Sequence, residues 1–273
     1  MKAALIQLCT SDDPAEGIAV LRDRIGEAVA GGADLICTPE VTNAIATTSA
    51  RRAEVLRTED ADPTLAMARD EAARHGVHIA LGSLALKTDG ERLANRSFLI
   101  GPDGSILARY DKLHMFDVEV APGETYRESA AYAPGDRAVI ARTPLGTLGL
   151  TICYDLRFPH LLRDLAKAGA EVILVPSAFS PTTGPAHWEV LLRARAIECG
   201  AYVLAAAQSG DHRTEKPRRS HGHSLAVGPW GEVLADAGTA LGVTLVDLDL
   251  SAVAEARRRL PSLTHDALYE APA

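Results

Sequence analysis

The sequence has few of the features that mark secreted, membrane-spanning or nucleic-acid-binding proteins. Four cysteines among 273 residues are too few for a disulfide framework in a chain of this length. No apolar run reaches the roughly 18 residues that a membrane-spanning helix needs. The first residues run directly into a strand pattern without a cleavable leader, so we expect no signal peptide. We therefore expect a cytoplasmic protein with reduced thiols and no membrane partner.

Basic charge and cofactor motifs are also scarce. The formal net charge of -8 would repel a phosphate backbone, so we expect no nucleic-acid partner. No glycine-rich loop precedes a helix pattern, and neither Cys-x-x-Cys nor His-Glu-x-x-His occurs. His221 and His223 flank one glycine, and a structural or subunit-contact role explains them better than a metal does. We expect neither a metal nor a cofactor.

The sequence contains a weak internal repeat. Residues 32–39 (GADLICTP) reappear as residues 169–176 (GAEVILVP), and residues 97–108 resemble residues 224–235. Each copy predicts strands, two helices and a hairpin in the same order. Two such halves, each with helices on one face of a sheet, would bury their sheets against each other. The sequence therefore predicts an α/β fold, a four-layer αββα sandwich of two pseudo-symmetric halves, with residues 1–273 forming one domain.

Apolar periodicity and turn residues place the elements. Residues 14–30, 63–75 and 159–168 are amphipathic and begin with proline, which predicts three helices. The tetrads Gly-Pro-Asp-Gly and Gly-Pro-Trp-Gly, one in each half, predict turns that join two strands.

Cys153 ends an apolar strand pattern and is followed by a sharp turn. Such a turn raises a thiol above the sheet and directs backbone N–H groups toward it, although a lone cysteine at a strand end is more often a core residue. Glu40 follows a matching strand and Lys112 lies between the two. A thiol has a pKa of about 8.5, so it needs a neighbour that takes its proton and another that stabilises the anion. Glu40 and Lys112 are suited to these tasks.

Several longer motifs occur in a fixed order. They are PEVTN (39–43), DKLHMFDVEV (111–120), RES (127–129), CYDLRFP (153–159), TGPAHWEVLLRARAIE (183–198) and HGHSLAVGPWGEVLA (221–235). Together they resemble the nitrilase superfamily of carbon-nitrogen hydrolases over nearly the whole chain. The resemblance implies the αββα sandwich and a catalytic triad of Glu40 as general base and acid, Lys112 as anion stabiliser and Cys153 as nucleophile.

The resemblance also implies supporting residues. Glu128 falls where the superfamily has a second glutamate beside the lysine, with Glu124 as the alternative. Substrate contacts are expected from Tyr154, Arg157, Phe179 and Thr183. Arg157 has two equally good explanations, a bidentate pair with a substrate carboxylate or an internal ion pair with Asp155 or another acid.

The segments after residue 183 most resemble the Nit subgroup of the superfamily, described as deaminated glutathione amidases and omega-amidases. We therefore expect a cofactor-free cysteine amidase that cleaves the carboxamide of a small acidic 2-oxo-acid-type substrate, with deaminated glutathione favoured. An omega-amidase acting on 2-oxoglutaramate and an N-carbamoyl amino-acid hydrolase are the alternatives. A different class is a catalytically silent member that binds a metabolite or a partner protein. The subgroup implies a homodimer or larger homo-oligomer.

Overall fold

The computed structural model describes residues 1–270. Its strands are β1 (Lys2–Gln7), β2 (Leu35–Cys37), β3 (His78–Leu86), β4 (Ala94–Ile100), β5 (Ile106–Asp111), β6 (Asp117–Ala121), β7 (Glu124–Arg127), β8 (Val139–Thr143), β9 (Gly146–Leu150), β10 (Val172–Leu174), β11 (Tyr202–Ala205), β12 (Ser209–His212), β13 (Arg218–His221), β14 (Leu225–Val227), β15 (Val233–Asp236) and β16 (Gly242–Asp247). The helices are α1 (Pro14–Ala30), α2 (Ser49–Val55), α3 (Pro63–His75), α4 (Pro159–Lys167), α5 (Gly184–Cys199) and α6 (Ser251–Arg259).

Two six-stranded sheets have the same topology. Their strand orders are β16-β1-β2-β3-β4-β5 and β8-β9-β10-β11-β14-β15. In each sheet three parallel strands stand at the centre and antiparallel strands flank them. The two predicted turn tetrads join β4 to β5 and β14 to β15, so the pseudo-symmetry inferred from the repeat is confirmed.

Side chains on the two faces of each sheet enter different layers of the core. In β1, Ala4 and Ile6 pack with α1 and α3, whereas Ala3 and Leu5 belong to the core between the sheets. The same cluster contains Leu148 and Leu150 of β9 and continues on the other face of the second sheet with side chains from α4 and α5. The order of layers is therefore helix, sheet, sheet, helix, as the sequence predicts. Alternate residues on one strand serve two layers because successive side chains point to opposite faces.

The predicted helices form where expected. Asp13 and Asp62 cap α1 and α3 by accepting backbone N–H bonds, and a proline opens each helix. The third predicted helix ends one residue earlier than expected, at Lys167. Within the described residues no helix is long and apolar enough to cross a membrane.

The sheets approach closely beside the ends of β2 and β10. A Cβ atom at Gly82 would lie 2.0 Å from the carbonyl oxygen of Thr38 and 2.6 Å from Cβ of Pro176. Only glycine fits there. This contact brings together the residues that follow β2 in one half and β10 in the other, at the carboxyl edge of the parallel strands, where α/β proteins usually bind ligands.

Candidate active site

A strained turn presents the thiol of Cys153. The residue follows β9 and begins a 3-10 turn, Cys153–Arg157, with a φ of 48°. A left-handed backbone is costly for a residue with a side chain and persists only where the surroundings impose it. The Cys153 N–H donates to the carbonyl oxygen of Pro176 at 2.9 Å, which fixes the turn against the strand end of β10.

Glu40 is buried beside a second strained residue. Val41 follows it with a φ of 49° and donates its N–H to Oγ of Ser83 at 2.9 Å. The Glu40 carboxylate accepts from Nζ of Lys112 at 2.9 Å and from the N–H of Ala178 at 2.8 Å. Because Ala178 follows β10, both halves of the molecule hold this carboxylate.

Lys112 lies between two glutamates. Its side chain is only 2% exposed, and Nζ contacts Oε1 of Glu40 at 2.9 Å and Oε2 of Glu128 at 2.8 Å. Glu128 also accepts the N–H of Phe116 at 2.7 Å. Glu124, the alternative, accepts instead from the hydroxyls of Tyr126, Ser180 and Thr182. The geometry therefore pairs Lys112 with Glu128.

Burial and the charge of Glu40 favour the protonated form of the Cys153 thiol. Burial raises the pKa of the Cys153 thiol strongly, the charge of Glu40 raises it further, and the Lys112 ammonium opposes both. Burial alone would also raise the pKa of Glu40, but the charge and hydrogen bonds of Lys112 hold it below its ordinary value. Despite burial, Glu128 and Glu40 raise the pKa of Lys112 well above its ordinary value. In the resting site Cys153 is thus a thiol, Glu40 a carboxylate and Lys112 an ammonium.

Two supporting residues were not predicted from the sequence. Asn95 in β4 donates Nδ2 to Glu40 at 2.9 Å and to Glu128 at 3.3 Å. Asp155 is fully buried and accepts from the N–H of Ile152, the N–H and Nδ1 of His114, and the hydroxyl of Tyr110. It thereby ties the Cys153 turn to the segment that carries Lys112. A strand asparagine and a turn aspartate give no signal of burial in a single sequence.

A cavity of about 400 Å³ opens above the cluster, which is within the usual size range of small-molecule sites. Glu40, Lys112, Glu128 and Cys153 line it, as do three of the predicted substrate contacts, Tyr154, Phe179 and Thr183. Oγ1 of Thr183 and Oδ1 of Asn95 are buried without a hydrogen-bond partner among residues 1–270. Both residues belong to the cavity lining.

Arg157 is not among the residues that line this cavity. Its guanidinium lies 5.4 Å from the centre of the Phe179 ring and 6.0 Å from that of Tyr154, two residues that do line the cavity. Arg157 does not pair with Asp155, which is occupied by Tyr110, His114 and Ile152, and it contacts Nδ1 of His187 at 3.2 Å instead. The contact of Arg157 with a substrate carboxylate stays a prediction.

Basic residues on the cavity wall were missed as well. They are Arg52, Arg127, Lys216 and Arg218. They come from α2 and from the hairpins β6–β7 and β12–β13, three elements outside the repeated framework. Isolated surface cations carry no sequence signal of this kind. Within residues 1–270 no group of three or more His, Cys, Asp or Glu side chains converges as a metal site would require.

Comparison with known proteins agrees with this architecture. Residues 2–258 match the family model for carbon-nitrogen hydrolase. The chain is 39% identical over 266 residues to the deaminated glutathione amidase of Yersinia enterocolitica, covering 96% of this chain and 92% of that protein. It is 36% identical over 274 residues to omega-amidase NIT2 of Bos taurus, covering 100% and 98%.

Among solved structures, the NitFhit protein of C. elegans superimposes with a TM-score of 0.90 at 35% identity, covering 97% of this chain. The chain spans 64% of NitFhit, slightly less than two thirds of its length. The motifs that the sequence shares with the nitrilase superfamily therefore reflect descent as well as fold, and the chain belongs to the carbon-nitrogen hydrolase family.

Proposed function

We propose that the protein is an amidase that hydrolyses the carboxamide of a small 2-oxo acid, with Cys153 as nucleophile. The observation that carries the proposal is the convergence of Cys153, Glu40 and Lys112 at the floor of one cavity. Deaminated glutathione is the favoured substrate, since the relative at 39% identity bears that activity in its name. The alternative is 2-oxoglutaramate, because omega-amidase NIT2 is 36% identical.

In the acylation half-reaction, Cys153 Sγ forms a bond to the amide carbon while Glu40 accepts the thiol proton. The raised pKa of the thiol means that the anion forms only during this attack. Glu40 then gives the same proton to the departing nitrogen as the C–N bond breaks, which releases the amine and leaves a thioester. One carboxylate suffices because it acts in turn as base and acid.

In the deacylation half-reaction, a water molecule attacks the thioester carbon and Glu40 accepts a proton from that water. The C–S bond breaks, the carboxylic acid leaves, and Glu40 returns the proton to sulfur. Lys112 stays protonated throughout, because two glutamates stabilise its positive charge.

Two donors would stabilise the oxyanion of each tetrahedral intermediate. One is Nζ of Lys112 and the other is the N–H of Tyr154, which has no hydrogen-bond partner within residues 1–270. Removing one oxyanion donor typically costs about 3 to 4 kcal/mol of barrier. Phe179 and Thr183 would contact the acyl part, and Arg157 would hold Tyr154 and Phe179 in place.

The proposal extends to the setting of the enzyme. We propose a cytoplasmic homodimer or larger homo-oligomer whose partner is a small-molecule amide. The free state of all four cysteines is compatible with a reducing compartment.

Substitution of Cys153 tests the proposal. Cys153→Ala should lower the release of 2-oxoglutarate from either substrate at least about 1,000-fold, because no group remains to form the thioester. Cys153→Ser should be nearly as inactive, since Glu40 is a weak base for an alcohol. Cys9→Ala is the matched control, because Cys9 lies outside the cavity and should keep wild-type rates. Substantial turnover by Cys153→Ala would contradict the nucleophile.

The same measurement distinguishes a catalytically silent binder. Such a protein would turn over neither substrate, and iodoacetamide would show no link between modification of Cys153 and loss of activity. We expect instead that alkylation of Cys153 parallels the loss of amidase activity. Cys37 and Cys199, which do not line the active-site cavity, should react more slowly.

A further inference from the structure

The cavity carries positive charge that the proposed mechanism does not use. Five basic side chains line it against two carboxylates, and both carboxylates, Glu40 and Glu128, are engaged by Lys112. The remaining cations stand in a protein whose formal net charge is -8. Five cations against two carboxylates give the cavity lining a net positive charge, opposite in sign to that of the whole protein, and this favours an anionic ligand.

Arg218 is held in place without an ion pair. Its Nη2 donates to the carbonyl oxygen of Ala178 at 3.2 Å, and its guanidinium lies 5.0 Å from the centre of the Tyr126 ring. The N–H of Ala178 also donates to Glu40, so Arg218 and the proposed general acid bind the backbone of the same residue. The carboxylate of nearby Glu124 accepts from hydroxyl groups instead of from Arg218.

Arg52 and Lys216 approach the cavity from two segments that touch each other. The N–H of Lys216 donates to Oγ1 of Thr47 at 3.0 Å, and Oγ1 of Thr48 donates to Glu215. The start of α2 is thereby joined to the turn of the β12–β13 hairpin. Arg52, Lys216 and Arg218 form one surface, here termed the cationic wall.

The position of Glu40 indicates which part of the substrate lies next to the cationic wall. A group that protonates the departing nitrogen must lie beside it. From Glu40 the cavity lining continues through Val41 and residues 44–47 to Arg52. The proposed acyl contacts, Phe179 and Thr183, belong to the segment after β10 instead. We expect the departing amine on the side of the cavity that leads from Glu40 to Arg52, with Arg218 held beside Glu40 through Ala178.

We propose that the cationic wall binds a carboxylate carried by the leaving amine. The enzyme then prefers amides whose amine is an amino acid or short peptide over primary amides that release ammonia. Arg52 and Arg218 can each offer two parallel N–H donors to a carboxylate, and Lys216 adds a point charge. The inference rests on the proposed amidase function and selects between its two substrates, because the amine released from deaminated glutathione is cysteinylglycine.

Three probes test this inference with one readout. They are deaminated glutathione, the same molecule with its terminal carboxylate converted to a carboxamide, and 2-oxoglutaramate. All three yield 2-oxoglutarate, which is measured by a coupled reduction. For the wild-type protein we expect kcat/KM for the free acid to exceed that for its carboxamide by about 10-fold or more, the usual effect of a charge-assisted hydrogen bond. This ratio should shrink as salt is added, because the wall is open to solvent.

Variants of the cationic wall test which side chains cause the preference for the free acid. Arg52→Gln and Arg218→Gln should each reduce the ratio of the free acid to the carboxamide several-fold, whatever they do to the absolute rates. Arg219→Gln is the matched control, since Arg219 neighbours Arg218 but is 65% exposed and lies 3.6 Å from Asp211 outside the cavity. It should keep the wild-type ratio.

The outcomes separate the inference from the proposed function. Equal kcat/KM for the free acid and its carboxamide in the wild-type protein would overturn the inference while the amidase function stands. The inference would also be overturned if both Arg52→Gln and Arg218→Gln kept the wild-type ratio of kcat/KM for the free acid to kcat/KM for its carboxamide. Absence of 2-oxoglutarate from all three probes would overturn the proposed function itself. Because the wild-type comparison needs no variant, the test holds even if a substitution prevents folding.

Discussion

At the residue scale, the site depends on one ammonium shared by two glutamates that differ in their surroundings. Glu40 touches the peptide of Ala178 and faces Cys153, whereas Glu128 touches Lys112, Asn95 and the peptide of Phe116. The two carboxylates are equivalent as counter-ions of Lys112. The proposed mechanism assigns the proton exchange with sulfur to Glu40 alone.

The difference predicts unequal losses on substitution. Glu40→Gln should lower kcat by about 1,000-fold, within the range for a lost general base. Glu128→Gln should leave a measurable residual rate, because Glu40 still pairs with Lys112. Glu124→Gln is the control and should cost less than either. Single-turnover assays of 2-oxoglutarate release measure all three, and equal losses at Glu40 and Glu128 would contradict the division of roles.

The charge states also predict the pH profile. Glu40 must be ionised to act as base, and its lowered pKa keeps it ionised below the ordinary glutamate value of about 4.3. Since the pKa values of Cys153 and Lys112 are both raised, neither loses its proton near neutral pH. We expect kcat/KM to be flat from about pH 6 to 9 and to fall on the acid side only as Glu40 protonates. An acid limb near pH 6.5 in folded protein would instead indicate a catalytic histidine.

The sequence predicts the residues that stand at strand ends. Glu40 and Cys153 follow apolar strands in corresponding halves, so their pattern alone brings them to one edge. Asn95 and Asp155 are different, because their burial depends on long-range neighbours. Arg157 packs against Tyr154 and Phe179, a contact that its motif position alone does not predict.

At the element scale, the short turn after β9 links Cys153 to the segment that carries Lys112. Asp155 is the centre of that link, with bonds of 2.8 Å to the N–H of Ile152, 2.7 Å to Nδ1 of His114 and 2.6 Å to the hydroxyl of Tyr110. Tyr110 and His114 flank Lys112 in sequence. A change in this turn should therefore move both Cys153 and Lys112.

Asp155→Asn tests the turn as a positioning device. The amide nitrogen cannot accept the bonds that one carboxylate oxygen now accepts, so we expect a loss of about 2 to 4 kcal/mol of unfolding free energy. We also expect a lower kcat with little change in KM, because Asp155 does not line the cavity. Asp136→Asn, at an exposed ion pair, is the control and should be near wild type. Urea unfolding and steady-state kinetics provide the two readouts.

The elements that the sequence left unpredicted are those outside the repeat. The strands of the hairpins β6–β7 and β12–β13 are only four or five residues long and largely exposed or half-buried. Without a buried face they lack the apolar pattern that marks a strand. Yet they carry Arg127 and Arg218, so the framework was predictable while much of the cavity wall was not.

At the scale of the whole molecule, we propose that the two halves form one domain, as the sequence suggests for residues 1–273, the last three of which lie outside the described residues. Two features support this. Strand β16, near the end of the chain, pairs with β1 and completes the first sheet. The core between the sheets draws side chains from both halves. A single domain should unfold in one cooperative transition, with calorimetric and van't Hoff enthalpies equal.

Gly82 provides the sharpest test of the contact between halves. In Gly82→Ala the new methyl group would meet the carbonyl oxygens of Thr38 and Pro39 in one half and Pro176 in the other, none of which is a flexible side-chain end. The sheets must separate, so we expect a loss of about 2 to 4 kcal/mol in unfolding free energy, in the upper range for overpacking. Because Thr38 and Pro39 lead into Glu40, kcat should fall as well.

Gly26→Ala is the matched control for that substitution. Gly26 lies in α1, and a Cβ there would meet no atom within 4 Å. Alanine should raise the unfolding free energy by about 0.5 to 1 kcal/mol and leave kcat unchanged, because it removes backbone freedom without adding a clash. If Gly82→Ala behaved like Gly26→Ala, the sheets would not be in the close contact that joins the catalytic residues of the two halves. If Gly82→Ala unfolded in two separate thermal transitions, the two halves would be independent domains. The site between them would then depend on docking of the halves rather than on a shared core.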